Sequence, residues 1–387
     1  MTSTMSMTAT RCRTLSDVLH PIVLEDIGHV IEQTPILERL SGKTVVLTGA
    51  GGLLASYLAY TVAVLNESFL SQPCRLLAIT RRNVRFYPRL APLVEAEGVN
   101  FITRNCAEPV VPFSPPVDYI IHAASLASPI DYLDRPLETA LTNTVGLTAL
   151  LEFARTHAVD GLLFISSGQI YGSPPERHVP TSESYVGEVD PLAPRSCYDE
   201  AKRFGETLCA IYDRKYDVPT RIARPFQVYG PGVSRSDKRA FADFTCCAAR
   251  GEPIVLRSDG RVRRSFCYLT DATVALWHVL LRGERLEPYN VGCSEPLMTI
   301  RELAELIAGL ADEPVEIIQP IQPKQRKDDL CATHDDHHDD GAPLVTCPDI
   351  QKVSRLIGSD PKVHPAKGFR RTLRWLADEW ADGRGVS

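Results

Sequence analysis

The sequence has no apolar run approaching the ~18 residues that a membrane-spanning helix needs, and no internal repeat. Met1 to Arg13 is polar and lacks the apolar core of a secretory signal. Positive charge is not in excess: 42 Lys and Arg stand against 48 Asp and Glu, a formal net charge of −6, so no nucleic-acid surface is expected. The 11 cysteines are scattered without paired spacing, and the adjacent Cys246-Cys247 suits neither an ordinary disulfide nor a zinc ribbon. These absences argue against a membrane protein, a disulfide-stapled domain and a nucleic-acid binder. They predict a cytoplasmic protein with most thiols buried as small hydrophobes.

What is present is ordinary for a globular chain: 44% hydrophobic and 23% charged residues over 387 positions, room for one large α/β domain and a smaller lobe. Met1 to Thr14 reads as a disordered leader. Leu15 to Leu40 has helical periodicity broken by Pro21 and Pro35, and is expected to pack as one or two short helices against the domain. Strands are expected at Lys43–Thr48, Arg75–Thr80, Asn100–Thr103, Asp118–His122, Leu162–Ile165 and Arg221–Pro225. Helices between them would make a parallel, doubly wound sheet. Pro109 to Pro116 reads as a proline-rich surface loop.

After the first strand comes Gly49-Ala50-Gly51-Gly52-Leu53-Leu54-Ala55, opening a helix to about Asn66. Gly49 permits the tight turn, Gly52 a close backbone approach to a pyrophosphate, and Ala55 close packing of helix on strand. Leu53 and Leu54 then lie at the helix N-terminus that faces the anion. The second strand ends in Arg81-Arg82 rather than an acid. An acid there would bind the ribose of NAD and an arginine suits the 2′-phosphate of NADP, so either cofactor is open. Ala123 and Ala124, after the fourth strand, are small enough to lie along a cofactor. A helix from about Pro136 to His157 carries Asn143.

Ser167 follows the fifth strand, at the end where open α/β sheets bind ligands. Tyr198 and Lys202 stand four apart at the start of an amphipathic helix and therefore share a face. An ammonium beside a phenol favours the phenolate, which would make Tyr198 a proton acceptor for oxidation of a sugar hydroxyl. Farther on, Arg261, Arg263 and Arg264 form a cluster that either holds a diphosphate or is a solvated run. Thr299 and Glu302 make a capping box for a helix over Ile300–Leu310, and Gly368–Trp380 reads as a closing amphipathic helix. Gln322 to Asp340, rich in His and Asp, reads as an acidic loop rather than a metal site.

With these motifs the sequence resembles the extended short-chain dehydrogenase/reductase family, and within it the UDP-glucuronate decarboxylases (UDP-xylose synthases). The resemblance runs from about Thr44 to Ala377 and is most specific over Pro194–Arg203, Ala124–Tyr132 and Thr142-Asn143-Thr144. It implies a Rossmann-type domain over about 42–230 behind an extension at 1–41. A substrate lobe over about 231–387, with an acidic insertion near 322–345, would complete the chain. It also implies bound NAD, a nucleotide-sugar substrate and a homodimer. By position, Ser167 and Tyr198 would engage the C4 hydroxyl, Lys202 the ribose and Tyr198, and Arg264 the active centre. Ser128, Gln227, Arg239 and Arg257 would line the substrate. Gly168-Gln169 stands where the decarboxylases have Ser-Glu, Gln227 replaces an asparagine, and Arg257 replaces an aromatic residue. The outcome of C4 oxidation therefore stays open among decarboxylation, 4-epimerisation and 4,6-dehydration. A binding protein without catalysis is the reading from another class.

Overall fold

The computed structural model describes residues 14–108, 113–114, 116–234, 236–319 and 344–381. The leader, most of the proline-rich loop and the Gln322–Asp340 segment lie outside the described residues.

Seven parallel strands form the central sheet: β1 (Thr44–Thr48), β2 (Arg75–Thr80), β3 (Val99–Thr103), β4 (Tyr119–His122), β5 (Gly161–Ile165), β6 (Thr220–Pro225) and β7 (Pro288–Val291), in the order β7-β6-β5-β4-β1-β2-β3. β1, β4 and β5 are apolar or β-branched along most of their length because helices cover both faces of the sheet. This is the doubly wound order 3-2-1-4-5-6 with one strand added, and it reverses between β1 and β4, where such sheets bind ligands. The expected strands form close to their expected bounds. β7 went unread because Pro288-Tyr289-Asn290-Val291 carries a proline and an asparagine. It pairs in register with β6, although it comes from the stretch assigned to the C-terminal lobe.

The expected helix beyond Pro136 is interrupted: Pro136–Leu141 and Leu147–Thr156 are α-helical, with a π-helical segment at Thr142–Gly146 between them. The Thr299–Glu302 capping box forms, with the Glu302 amide donating to Thr299 Oγ1 at 3.0 Å and the Thr299 amide to Glu302 Oε2 at 2.7 Å. No helix among the described residues is long and apolar enough to cross a membrane.

The N-terminal extension, with its helix Pro21–Gln33, is anchored by a buried acid. Asp26 accepts from Tyr57 Oη at 2.8 Å, from Tyr268 Oη at 2.7 Å and from Arg371 Nη2 at 2.8 Å. One carboxylate thus joins the extension to the Leu53–Ser68 helix, to Tyr268 and to the closing helix Pro365–Ala381. Replacing Asp26 by Ala removes the acceptor of two buried phenols, while Arg371 keeps Glu25 and the Ile22 carbonyl, and is expected to cost about 2–3 kcal/mol. The shift in the chemical-denaturation midpoint measures it; a loss below about 1 kcal/mol, the worth of an exposed ion pair, would show that the anchor does not hold the extension.

Candidate active site

A cavity of about 250 Å³ opens at the C-terminal ends of β5 and β6. Its floor is the turn Gly52–Ala55 that begins the Leu53–Ser68 helix, with Ala123 alongside. Its inner wall carries Ser167, Gln169, Tyr198 and Lys202. Gln227, Arg239, Arg264 and Thr346 close the far side. Residues spread over nearly three hundred positions of sequence therefore meet at the ligand-binding end of the sheet.

The glycine turn is built for close approach. Gly49 has φ +68°, and a Cβ there would lie 2.6 Å from the Ala124 Cα, so the turns after β1 and β4 touch backbone to backbone. A buried chain locks them. His122 Nε2 faces the Thr142 carbonyl at 3.1 Å and so carries the proton. Its Nδ1 then accepts from the Thr48 hydroxyl at 2.8 Å, and Thr48 Oγ1 accepts from the Ala124 amide at 3.2 Å. Burial, aided by Lys202, pushes the His122 pKa down to about 3, so this ring is a neutral strut.

Gly52 precedes the helix without a capping side chain, and the first helical bond runs from the Ser56 amide to the Gly52 carbonyl at 2.9 Å. The amides of Leu53, Leu54 and Ala55 are thereby left facing the cavity end, a cradle for a phosphate pair. Asn143, in the π-helical segment, is fully buried. Its Nδ2 donates to Ser125 Oγ at 3.0 Å and to the Thr139 carbonyl at 2.8 Å, while its Oδ1 has no partner. The bare helix terminus fits a dinucleotide, while Asn143 lies behind the cavity wall and reaches it through Ser125. Arg89, unread in the sequence, ties this turn to the loop that follows β6, donating to the Gly51 carbonyl at 2.8 Å and the Gly232 carbonyl at 2.6 Å.

The Ser196–Tyr216 helix presents Tyr198 and Lys202 on one face, as their spacing predicts. Tyr198 and Ser167 line the cavity together. Lys202 Nζ donates to the Ile165 carbonyl at 2.6 Å, and lies 5.7 Å from the centre of the Tyr198 ring. The titration differs from the sequence expectation. Burial raises the Tyr198 phenol above its ordinary value, and the neighbouring Ser167 opposes that rise. Lys202 takes the larger effect: burial pushes its amine down to about 7, with Glu206 opposing. An amine whose charge is disfavoured by burial supports a neighbouring phenolate less than a fully solvated ammonium would.

Several expected residues sit elsewhere. Arg81 donates to Glu138 Oε1 at 2.7 Å, so its charge is taken up by a carboxylate. Arg257 is 44% exposed, 3.5 Å from Asp243 and off the cavity wall. Ser128 precedes the Pro129–Asp134 helix and is likewise off the wall, which Ser125, Pro129 and Tyr132 reach instead. Tyr132 stacks on Tyr198 with ring centres 5.4 Å apart and planes at 20°. Its place in the Ala124–Tyr132 run was the available signal for it. Arg264 is 2% exposed and donates to the Arg263 carbonyl at 2.9 Å, and Arg239 pairs with Asp237 at 3.0 Å.

A family model described as the NAD dependent epimerase/dehydratase family matches residues 45–292. The chain belongs to that family. Its similarity to individual members is broad. UDP-glucuronic acid decarboxylase 6 of Arabidopsis thaliana is 36% identical over 257 residues, 65% of this chain and 68% of that protein. UDP-glucuronic acid decarboxylase 2 of the same plant is 32% identical over 353 residues, 89% of this chain and 71% of its own. Among solved structures, a dTDP-glucose 4,6-dehydratase from Streptomyces venezuelae with NAD bound superposes with a TM-score of 0.71 at 22% identity, covering 87% of this chain and 98% of its own. That likeness is one of fold, and it accords with the family's doubly wound sheet.

Lys202 also makes stability depend on pH in a stated direction. Its folded pKa of about 7 lies below the ordinary ~10.4. Between the two values the unfolded chain binds the extra proton, so this group raises stability as pH climbs from about 7 towards 10 and penalises the fold below 7. In cofactor-stripped protein, Lys202→Met should therefore gain on wild type most at acid pH. Thermal midpoints measured from pH 6 to pH 9.5 test this, and a difference that is flat across the range would contradict it.

Proposed function

We propose that this protein is an NAD-dependent nucleotide-sugar decarboxylase that oxidises UDP-glucuronate, or a close analogue, at C4. The observation that carries the reading is the convergence of Ser167, Tyr198, Lys202 and the buried Arg264 on the cavity that the Gly52–Ala55 turn floors. The similarity to UDP-glucuronic acid decarboxylases over 89% of the chain supports it. NAD would be held by the amides of Leu53, Leu54 and Ala55, by Asn143 and by Lys202. The pairing of Arg81 with Glu138 favours it over NADP, since a carboxylate beside the arginine disfavours a 2′-phosphate.

Bound NAD supplies the acceptor for the C4 hydride and the donor that returns it. Tyr198 takes the proton of the C4 hydroxyl, and Ser167, on the same cavity wall, orients that oxygen. The ketone so formed is β to the C6 carboxylate. As CO₂ leaves, the electrons of the C5–C6 bond move onto the C4 oxygen, where Ser167, protonated Tyr198 and the nearby Arg264 stabilise the charge. Carbon 5 then takes up one proton from a water molecule, replacing the lost CO₂, and Tyr198 gives its proton back to the C4 oxygen as the hydride returns. The walls of Tyr132, Pro129 and Phe226 keep the carbanion equivalent away from bulk water.

The second reading, C4 epimerisation, is favoured by Gln169, because an amide cannot exchange a proton as a glutamate can. Incubation with UDP-glucuronate, following CO₂ and the nucleotide sugar, separates the two. Release of CO₂ with a UDP-pentose is the expected outcome, whereas UDP-galacturonate without CO₂ would overturn it in favour of epimerisation. Tyr198→Phe should keep its dinucleotide and lose about 10²–10⁴ in turnover; activity within tenfold of wild type would remove Tyr198 from the mechanism.

We also propose a cytoplasmic homodimer. The nine described cysteines are all free thiols, which suits a reducing compartment. Phe204 and Ile211, seven residues apart on the Ser196–Tyr216 helix, are 51% and 44% exposed. Phe204 borders a groove lined by Val145, Thr148 and Phe153 of the neighbouring helix. Two such helix pairs from two copies would bury both apolar faces. Light scattering should find a dimer for the wild type and a monomer for Phe204→Asp; a wild-type monomer would contradict the proposal.

A further inference from the structure

The segment after β2 is strongly basic and begins without an acid: Arg81, Arg82, Arg85 and Arg89 all precede its first carboxylate, Glu95. A dinucleotide site of this fold places an acid at the end of β2 for the adenosine ribose of NAD, or an arginine for the 2′-phosphate of NADP. By composition the segment therefore suits NADP. The structure turns each guanidinium elsewhere. That of Arg82 lies 5.6 Å from the centre of the Tyr87 ring, and that of Arg85 4.9 Å from the centre of Phe86. Arg89 is bonded to the Gly51 and Gly232 carbonyls, and Arg81 to Glu138.

Glu138 reaches this place from the other side of the glycine turn. In the sheet β1 lies between β2 and β4, and it runs out into Gly49. Arg81 directly follows β2, whereas Glu138 belongs to the Pro136–Leu141 helix, in the segment after β4. Their contact, Arg81 Nη1 to Glu138 Oε1 at 2.7 Å, therefore joins the two segments that flank the turn. It sets a carboxylate where the strand itself supplies none. The second oxygen, Oε2, has Arg135 at 3.4 Å as its partner among the described residues, and Arg135 bonds more closely to Asp131, at 2.8 Å. Each carboxylate oxygen has two lone pairs, so Glu138 keeps acceptor capacity. Its side chain is 25% exposed and can be reached by a ligand.

We infer that Glu138 is the residue that selects NAD, accepting a hydroxyl of the adenosine ribose in place of the acid missing from β2. The inference rests on the reading of this crevice as an NAD site, and it names the side chain that makes the choice. A ribose hydroxyl can donate to a carboxylate. A 2′-phosphate offers no such donor and brings about two negative charges, so the same carboxylate repels it. Arg81 does not offset that repulsion, because Glu138 already matches its charge. Glu138 is thus a repulsive element acting against one of two otherwise similar ligands. Without the negative charge at 138, Arg81 is released to pair with a 2′-phosphate.

The test measures dissociation constants for NAD and NADP by calorimetry on full-length protein freed of dinucleotide. The wild type is expected to prefer NAD. Glu138→Gln keeps the side-chain volume and an oxygen for Arg81. It should move the ratio of the two constants roughly tenfold or more towards NADP, the size of one hydrogen bond to a charged group. That gain needs Arg81, so adding Arg81→Gln to Glu138→Gln should abolish it; a double variant that keeps the gain overturns the part given to Arg81. A purely structural role for Glu138 would weaken both dinucleotides alike and leave the ratio unchanged. Should Glu138→Gln fail to fold, Glu138→Ala takes its place with the same expected shift. A wild type that prefers NAD, with a position-138 variant that keeps the preference, overturns this inference alone. A wild type that binds NADP as tightly as NAD, or binds neither, overturns the cofactor reading and the inference together.

Discussion

The amine of Lys202 is taken out of water at the C-terminal end of β5, and the site is arranged around that buried side chain. Its side chain is 2% exposed, its proton donor faces the Ile165 carbonyl at 2.6 Å, and the Phe164 ring lies 5.0 Å away. The helix must come close to the sheet for this contact. Gly205 makes that possible, because a Cβ there would lie 2.5 Å from Phe164 Cζ. Tyr198, one turn earlier, is then carried to the level of Ser167. Desolvation explains why the amine titrates so low, and it makes Lys202 a sensitive reporter of any charge brought into the cavity.

Behind this wall a polar network compensates for burial. Glu206, one turn after Lys202, receives Arg224 through two bonds, at 2.9 and 2.6 Å, and the Ser166 hydroxyl at 2.6 Å. Arg224 continues to Tyr171 at 2.7 Å, and Tyr171 to Asn290 on β7 at 2.7 Å. The Ser196–Tyr216 helix, the loop after β5, β6 and β7 are thus joined by bonds that each have a partner, as a low-dielectric interior demands. The Arg195–Asp199 pair does the same at the front of the helix.

The far side of the cavity depends on two residues that follow the undescribed stretch. Val345–Thr346 pairs in parallel with Arg263–Ser265, Thr346 opposite Arg264. Alternation along the strands sends Arg264 and Thr346 into the Tyr198 cavity, and Arg263, Val345 and Cys347 into a neighbouring one of about 660 Å³. One short strand pair therefore separates two cavities, and the register decides which arginine of the basic cluster enters the site.

Local patterns determined the scaffold. The apolar strands, the Gly49–Ala55 turn, the Tyr198–Lys202 spacing and the Thr299 capping box each depend on residues a few positions apart, whose geometry the backbone dictates wherever they occur. Position in the sheet followed from the alternation of strands and helices. The short β7 was hidden, because its partner in β6 supplies what its own composition does not. Tertiary structure alone decided the electrostatics and the choice among similar side chains. Burial pushes the Lys202 amine well below its ordinary value, and burial has no local signature. Arg81 faces Glu138 and Arg257 faces solvent, while Arg264 is enclosed, although all three are arginines near plausible motifs. Gln169 turns its carbonyl to Arg195, 26 positions away.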